Sequence, residues 1–279
     1  MPGALEIPQA RASRILMDLR DAGLVHKDRP TILTDGGRDY ALRIIRNHRL
    51  WERFLADRTG VAPGDWHERA EEAEHRLTPD AAVALDARLG YPRFDPHGDP
   101  IPTAGGDLPA VVGVPLTHLD AGEEGMIVHL EDEPRALYEQ LLSSGLAPQM
   151  RFRVLPSDDG RIRFSVDGRS VDLDAAAAAN VTVDTSPSTA APPAWDGETL
   201  ADLVRGEWGE VVHISPACQG IQRRRLLDLG VVPGTRITAE LAAASGDPTA
   251  YRIRGALVAL REGQQRWIRI RNVGKEAVA

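Results

Sequence analysis

The chain has a single cysteine, Cys218, among its 279 residues. One thiol excludes an intramolecular disulfide and any cysteine-based zinc finger, so Cys218 reads as an inert small side chain. Aromatic residues make up only 5%, and the core has to be built from Leu, Val, Ile and Ala. No run approaches the roughly 20 apolar residues that a membrane-spanning helix needs. The opening residues, MPGALEIPQARASRILMDLR, lack the apolar stretch of a secretion signal, and a cytoplasmic protein is expected. Positive charge is short as well: a net charge of −8 argues against a surface coated uniformly for nucleic acid. Its distribution is uneven. Residues 1–60 carry a net of +3, and residues 61–100 a net of −5 and three histidines. A mildly basic head and an acidic, His-containing segment suggest two separate tasks.

Pro- and Gly-rich composition at 96–109 and a Ser/Thr/Ala/Pro run at 185–196 read as linkers. Residues 1–95 read as helical with one short hairpin. Apolar positions at Ala12, Ile15, Leu16 and Leu19 recur as one helical face, and Gly23 is a helix stop. Short β-like runs flank Lys27-Asp28-Arg29-Pro30. A second helix opens near Thr34, a third spans about 65–76, and a fourth follows the cap Thr78-Pro79. The remainder is an internal repeat. GEEGMIVHL (122–130) matches GEWGEVVHI (206–214), and LLSSGLAPQMRFRV (141–154) matches LLDLGVVPGTRITA (226–239). FSVDGRSVDLDAAAAANVTV (164–183) lies without gaps over YRIRGALVALREGQQRWIRI (251–270). Each copy reads as strand, short helix, strand, hairpin and final strand, a small closed or half-closed barrel. The recurrence of His129 and His213 fits a shared packing position.

The sharpest chemistry lies in His67, Glu71, Glu74 and His75. At 100° per residue these fall within about a 100° sector of one helix. His48 and Glu52 form an i, i+4 pair on the preceding helix. Two such helices face to face bring together six imidazole and carboxylate groups, enough for two divalent cations with one bridging carboxylate. Without thiolate ligands the set suits Mn²⁺ or Fe²⁺ better than Cu(I) or structural zinc. A binuclear hydrolase would use similar ligands, but no nucleophile or oxyanion loop accompanies them in the sequence.

The stretch HRLWERFLADRTGVAPGDWHERAEEAEHRLTPDAAVALDARLG, with FDPHGDPIP after it (48–102), resembles the dimerisation and metal-sensing domain of the DtxR family of metal-dependent bacterial transcriptional regulators. PQARASRILMDLRDAGLVHKDRPTILTDGGRDYAL resembles that family's recognition helix and wing. The two C-terminal repeats resemble FeoA domains, small SH3-like barrels; RRRLLDLGVVPGT (223–235) is closest to that pattern. The resemblance implies an α+β multidomain protein. A partial winged helix (1–40) and a helical dimerisation and metal-sensing domain (41–95) precede FeoA-like domains at 110–184 and 197–279.

Carried over by residue, the resemblance makes His48, Glu52 and His67 ligands of one site, with Glu71, Glu74 and His75 in the same or an adjacent site. Glu at position 71 matches the manganese-responsive branch, which favours Mn²⁺ with Fe²⁺ next. It implies DNA contacts from Gln9, Arg11, Ser13 and Arg14 on the recognition helix and from Lys27 and Arg29 at the wing tip. It also implies a homodimer, with Leu50, Trp51, Phe54, Leu55, Leu85 and Leu89 as interface candidates, at least half of which are expected to fill the protomer core instead. The family's DNA-binding head has two further helices before the recognition helix, one carrying a metal ligand. The expected alternatives are therefore a longer natural protein or a sensor without autonomous DNA binding, serving a metal transporter.

Overall fold

The computed structural model describes residues 9–29, 32–110, 112–157, 160–186 and 197–275. The chain divides into two units, Met1–Leu55 with Val61–Val111, and Ala56–Gly60 with Val112–Ala279. The 185–196 linker lies almost wholly outside the described residues.

In the first unit, α1 (Gln9–Asp21) stops where the sequence places its stop. Gly23 adopts φ 71°, Gly23 N–H bonds to Arg20 C=O at 3.0 Å, and Leu24 N–H to Leu19 C=O at 2.9 Å. That pairing satisfies two of the carbonyls a helix end would leave bare. An antiparallel bridge, Val25 to Leu33, forms the base of the hairpin. Thr34 then caps α2 (Asp35–Arg58) by accepting from Gly37 N–H at 3.0 Å. A Cβ on Gly37 would collide with the Leu24 carbonyl, so the hairpin can lie against α2 only with glycine there. The third helix, α3 (Trp66–Glu74), follows a single 3₁₀ turn, and α4 (Pro79–Leu89) starts on the Thr78 cap and ends at left-handed Gly90.

Leu50, Ala82, Leu85 and Ile101 form the core of this unit, with Trp51, Phe54, Leu77 and Leu89 packed against it. Leu50, Leu55 and Leu85 are buried within the protomer, which removes them as interface residues because a partner cannot reach them. Trp51, Phe54 and Leu89 keep partial exposure. Leu50→Ala is expected to cost about 2–5 kcal/mol through lost burial and the cavity left behind. The measurement is the urea midpoint together with hydrogen exchange in α2 and α4.

The stretch expected as a linker from residue 96 is instead packed over its first half. Asp95 to Gly98 and Pro100 to Pro102 are buried. Arg46 donates to Pro102 C=O at 2.6 Å and Arg49 to Pro100 C=O at 2.6 Å. Its prolines and glycine serve a fixed turn rather than a flexible tether.

The second unit holds the two repeats. The first runs β1 (Val114–Pro115), β2 (Glu124–Leu130), α5 (Arg135–Ser143), β3 (Arg151–Leu155), β4 (Ile162–Val166), β5 (Arg169–Leu173), α6 (Ala175–Ala179) and β6 (Val181–Asp184). The second runs β7 (Glu207–Ile214), α7 (Gly220–Asp228), β8 (Arg236–Ala242), β9 (Thr249–Ile253), β10 (Ala256–Leu260), α8 (Glu262–Gln265) and β11 (Ile268–Lys275). The antiparallel strand orders are β1-β6-β2-β3-β4-β5 and β10-β9-β8-β7-β11. Neither order returns to its first strand, so the half-closed form of the expected barrel is the one observed. Alternation sends Phe152, Val154, Phe164, Val166, Val171 and Leu173 into the first core, and Ile237, Ala239, Tyr251, Ile253 and Ile268 into the second. Cys218 is fully buried, and burial pushes its thiol up to about 12, in keeping with an inert side chain.

Candidate metal centre

Helix periodicity puts His48 and Glu52 one turn apart on α2, and α3 brings its His67–Glu71–Glu74 face opposite them. Asn47 fixes the approach by donating its amide to Glu74 C=O at 2.9 Å and Leu77 C=O at 3.2 Å, gripping the end of α3. Trp66 anchors the other end, with its indole N–H on Val61 C=O at 3.0 Å.

Glu52 is the hub. Its residue exposure is 1%. His48 Nε2 lies 3.1 Å from Oε1, His67 Nδ1 lies 3.6 Å from the same oxygen, and His97 Nδ1 lies 3.7 Å from Oε2. The His48 and His67 rings meet edge-to-face at 4.8 Å between centroids. On its other side His48 Nδ1 lies 2.7 Å from Glu74 Oε2, and Glu74 Oε1 lies 3.3 Å from His75 Nε2. Glu71 Oε1 is 3.9 Å from His67 Nε2. All six residues singled out in the sequence thus share one network. Their burial grades outward: Glu52 is buried, His48 and Glu74 nearly so, and Glu71 and His75 face solvent.

Among the described residues, two triads bring ligand atoms within 4.8 Å of one another, His48–Glu52–His67 and Glu52–Asp95–His97. The first is one predicted set. The second includes His97, which the sequence reading assigned to linker, and Asp95, the last residue of the helical domain before it. Asp95 Oδ1 accepts from the backbone N–H groups of His97, Gly98 and Asp99 at 2.8, 2.9 and 2.9 Å, and so folds the loop that aims His97 at Glu52. A His between two turn-forming residues, Pro96 and Gly98, one helix beyond the acid- and His-rich α3, was the available signal. Glu71, Glu74 and His75 do not converge on a third such point; Glu74 is turned to His48.

The electrostatics fit a cation position. Burial acts to raise the Glu52 pKa, yet the imidazoles of His48, His67 and His97 around it hold it well below the carboxylate range. Burial acts to lower that of His48, but Glu52 and Glu74 prevail and hold it above its ordinary value. Asp95 is pushed up to about 7, mainly by burial. Oε1 of Glu52 is inaccessible to solvent and receives no well-aligned hydrogen bond despite the nearby imidazoles. Nδ1 of His48 faces Glu74 and Nε2 faces Glu52, so a neutral ring can donate to only one of the two carboxylates, and a second proton or a metal ion satisfies the other.

The predicted DNA-contacting residues lie apart from this centre. Arg11, Ser13 and Arg14 are exposed on α1, and Lys27 and Arg29 are exposed at the hairpin tip, where Arg29 Nε is 3.7 Å from Asp28. Gln9 is the first residue of α1; its side chain lies outside the described residues. Ile15, Leu16 and Met17 of α1 are also exposed.

These features define a class: a helical His/carboxylate sensor domain followed by paired FeoA-type sheets. A family model described as iron dependent repressor, metal binding and dimerisation domain matches residues 34–103, and one described as FeoA domain matches 114–185 and 198–272. The iron-dependent repressor IdeR of Mycobacterium leprae (strain TN) is 32% identical over 163 residues, covering 54% of this chain and 69% of that protein. The diphtheria toxin repressor of Corynebacterium glutamicum is 30% identical over 182 residues, covering 61% and 79%. A probable metal transport system membrane protein of Chlamydia trachomatis is 40% identical over 70 residues, 25% of this chain and 16% of that one. Among solved structures, a manganese-dependent transcriptional repressor in complex with manganese superimposes with a TM-score of 0.60 at 33% identity, covering 65% of this chain and 86% of that chain. The chain belongs to the iron-dependent repressor (DtxR) family and carries two FeoA domains. None of the described helices is long and apolar enough to cross a membrane.

Proposed function

We propose that this protein is a cytoplasmic, Mn²⁺- or Fe²⁺-responsive transcriptional repressor that acts as a homodimer on DNA and catalyses no reaction. The observation that carries the reading is the buried Glu52 carboxylate with three imidazoles directed at it from α2, α3 and the 95–102 loop. Nitrogen and oxygen donors without sulfur match Mn²⁺ and Fe²⁺. His48, Glu52 and His67 would hold one ion, and Asp95 and His97 would share Glu52 on its far side. Glu71, Glu74 and His75 would complete or extend the coordination from the solvent edge. A bound divalent cation supplies a cross-link among three segments that otherwise rely on like-charged or proton-bridged contacts.

The chain's own residues do the rest. Asn47 and the Asp95 turn preset the segments so that little ordering remains for the ion to impose. Holding α2 and α3 fixed would set the spacing of the DNA-binding heads against operator half-sites, with Arg11, Ser13, Arg14 and Gln9 at the groove and Lys27 and Arg29 at phosphate. Trp51, Phe54 and Leu89 would contribute to the dimer face. Repressors among the relatives favour this reading over a transporter-associated module, because the transporter match spans 16% of its protein.

The test is equilibrium dialysis of Mn²⁺ against wild type, His67→Ala, and the Glu71→Ala/His75→Ala double variant, paired with a mobility shift on duplexes selected from a random pool. We expect weakened Mn²⁺ binding in both variants and a shift only when metal is present. Equal binding in all three proteins would sink the site.

A further inference from the structure

The two FeoA domains are joined by a plug and a socket. The β4–β5 turn of the first places Asp167 at φ 47° and Gly168 at φ 72°. Asp167 accepts from Ser215 Oγ at 2.6 Å and from the Arg269 guanidinium at 2.8 Å. All three residues are buried, and Ala217 beside them packs on the first domain's core.

The plug residue belongs to a wider reversal of charge between the repeats. Residues 110–184 carry a net charge of −7 and residues 197–279 a net of +3. Aligned through Gly145 with Gly230 and through Gly168 with Gly255, four positions turn from acidic or neutral to basic. Arg224 stands where the first domain has Glu139, and Arg225 where it has Gln140. Arg254 stands where it has Asp167, and Arg261 where it has Asp174.

The fold gathers these four at one end of the second domain. In the first domain Gln140 Nε2 donates to Asp174 Oδ2 at 3.2 Å, joining α5 to the cap of α6. The second domain keeps that approach of its two helices, with Gln264 Nε2 on α8 donating to Gln222 Oε1 on α7 at 3.0 Å. Arg225 and Arg261 therefore occupy neighbouring positions where the first domain has a hydrogen bond. Arg224 adjoins them on α7, and the stem of Arg254 lies against Gly230, two residues past the end of that helix. All four are exposed, and among the described residues none enters an ion pair. Arg252, Arg266 and Arg271 of the same domain are each paired with a glutamate. One acidic residue, Asp228, shares the exposed face of α7.

Unneutralised guanidinium groups held close together repel one another and lower the stability of the fold that holds them. A polyanion relieves that repulsion, and the planar guanidinium fork fits phosphate oxygens. We propose that Arg224, Arg225, Arg254 and Arg261 hold the phosphate backbone of duplex DNA, a sequence-independent contact made by the second FeoA domain. The identity of the polyanion rests on the repressor reading. The first domain, acidic at Glu139 and Asp174, has no such face.

The test uses full-length protein in EDTA and a duplex of arbitrary sequence, with affinity read by fluorescence anisotropy over a series of KCl concentrations. Three proteins are compared: wild type, Arg224→Gln/Arg225→Gln/Arg254→Gln/Arg261→Gln, and a control, Arg205→Gln/Arg236→Gln/Arg252→Gln/Arg271→Gln. All eight side chains are exposed, and both variants lose the same charge from the same domain. Each phosphate contact adds about 0.9 to the steepness of log affinity against log salt. The first variant should lose about 3 of that slope and the control less than about 1, with affinity at ~0.1 M KCl at least about tenfold lower in the first than in the control. Equal losses in the two variants, or an unchanged slope in the first, would overturn the proposal. So would polyglutamate bound as tightly as the duplex at matched charge, which would point to an acidic protein surface instead. Failure of the repressor reading shows separately, as a missing metal-dependent shift on selected duplexes with the slope difference between the variants intact.

Discussion

Glu52→Gln is expected to weaken Mn²⁺ binding by on the order of 100-fold or more, since even partners behind a metal ligand carry about 10–100-fold. The change keeps the side chain's shape and removes the one charge that faces His48, His67 and His97. Isothermal titration checks it, and retained affinity would show that the metal is held elsewhere. The same variant alters the metal-free protein's response to pH. Glu52 is depressed from its ordinary 4.5, so its pairing stabilises the fold above that value and the contribution fades as pH falls. His48 is raised from 6.5, so its contribution is full below that value and is lost as pH rises through its elevated pKa. These are two views of one set of contacts, and the stabilisation is fullest between about pH 4.5 and 6.5. Glu52→Gln should flatten stability across that window. Metal binding runs the other way. It must displace the His48 proton, so apparent Mn²⁺ affinity rises with pH and each ion bound releases protons.

Much of this centre was legible before any coordinates because α-helices impose a known period. His48 and Glu52, and then His67, Glu71 and Glu74, had to share faces once α2 and α3 were helical. The caps Thr78 and Gly23 were equally readable, since each satisfies a specific orphan group. The repeat was legible because two barrels with the same turns need the same glycines, Gly168 and Gly255. Composition misled at residues 96–102. Proline and glycine signal irregular backbone, but irregular backbone is flexible only where nothing holds it, and here Arg46, Arg49 and the Asp95 side chain do. His97 was hidden for that reason. Apolar periodicity on α2 likewise marked a buried face without saying whether the chain's own α4 or a partner covers it; for Leu50 the answer is α4. The Asp167 plug was invisible for a different reason. A lone Asp-Gly reads as a hairpin turn, and nothing local reveals that its carboxylate meets an arginine 102 positions away.

Asp167→Asn is expected to cost on the order of 3 kcal/mol, the range for removing one partner of a buried ion pair. Asparagine tolerates the left-handed backbone that this turn position requires, so the loss isolates charge from conformation. Side-chain exposure is 7% for Asp167 and 4% for Arg269, which leaves the guanidinium with no water to turn to. Its remaining hydrogen bond is to Arg266 C=O at 2.9 Å, and its Nε has no partner. Adding Arg269→Met should recover most of the loss, because the penalty lies in the stranded cation rather than in the missing attraction. If the pair merely decorated the interface, the two single changes would each be mild and would add. Urea denaturation of the four proteins in the cycle separates these outcomes. Hydrogen exchange should show the Asp167→Asn loss in β4, β5 and β11 together, since the plug belongs to one domain and the socket to the other.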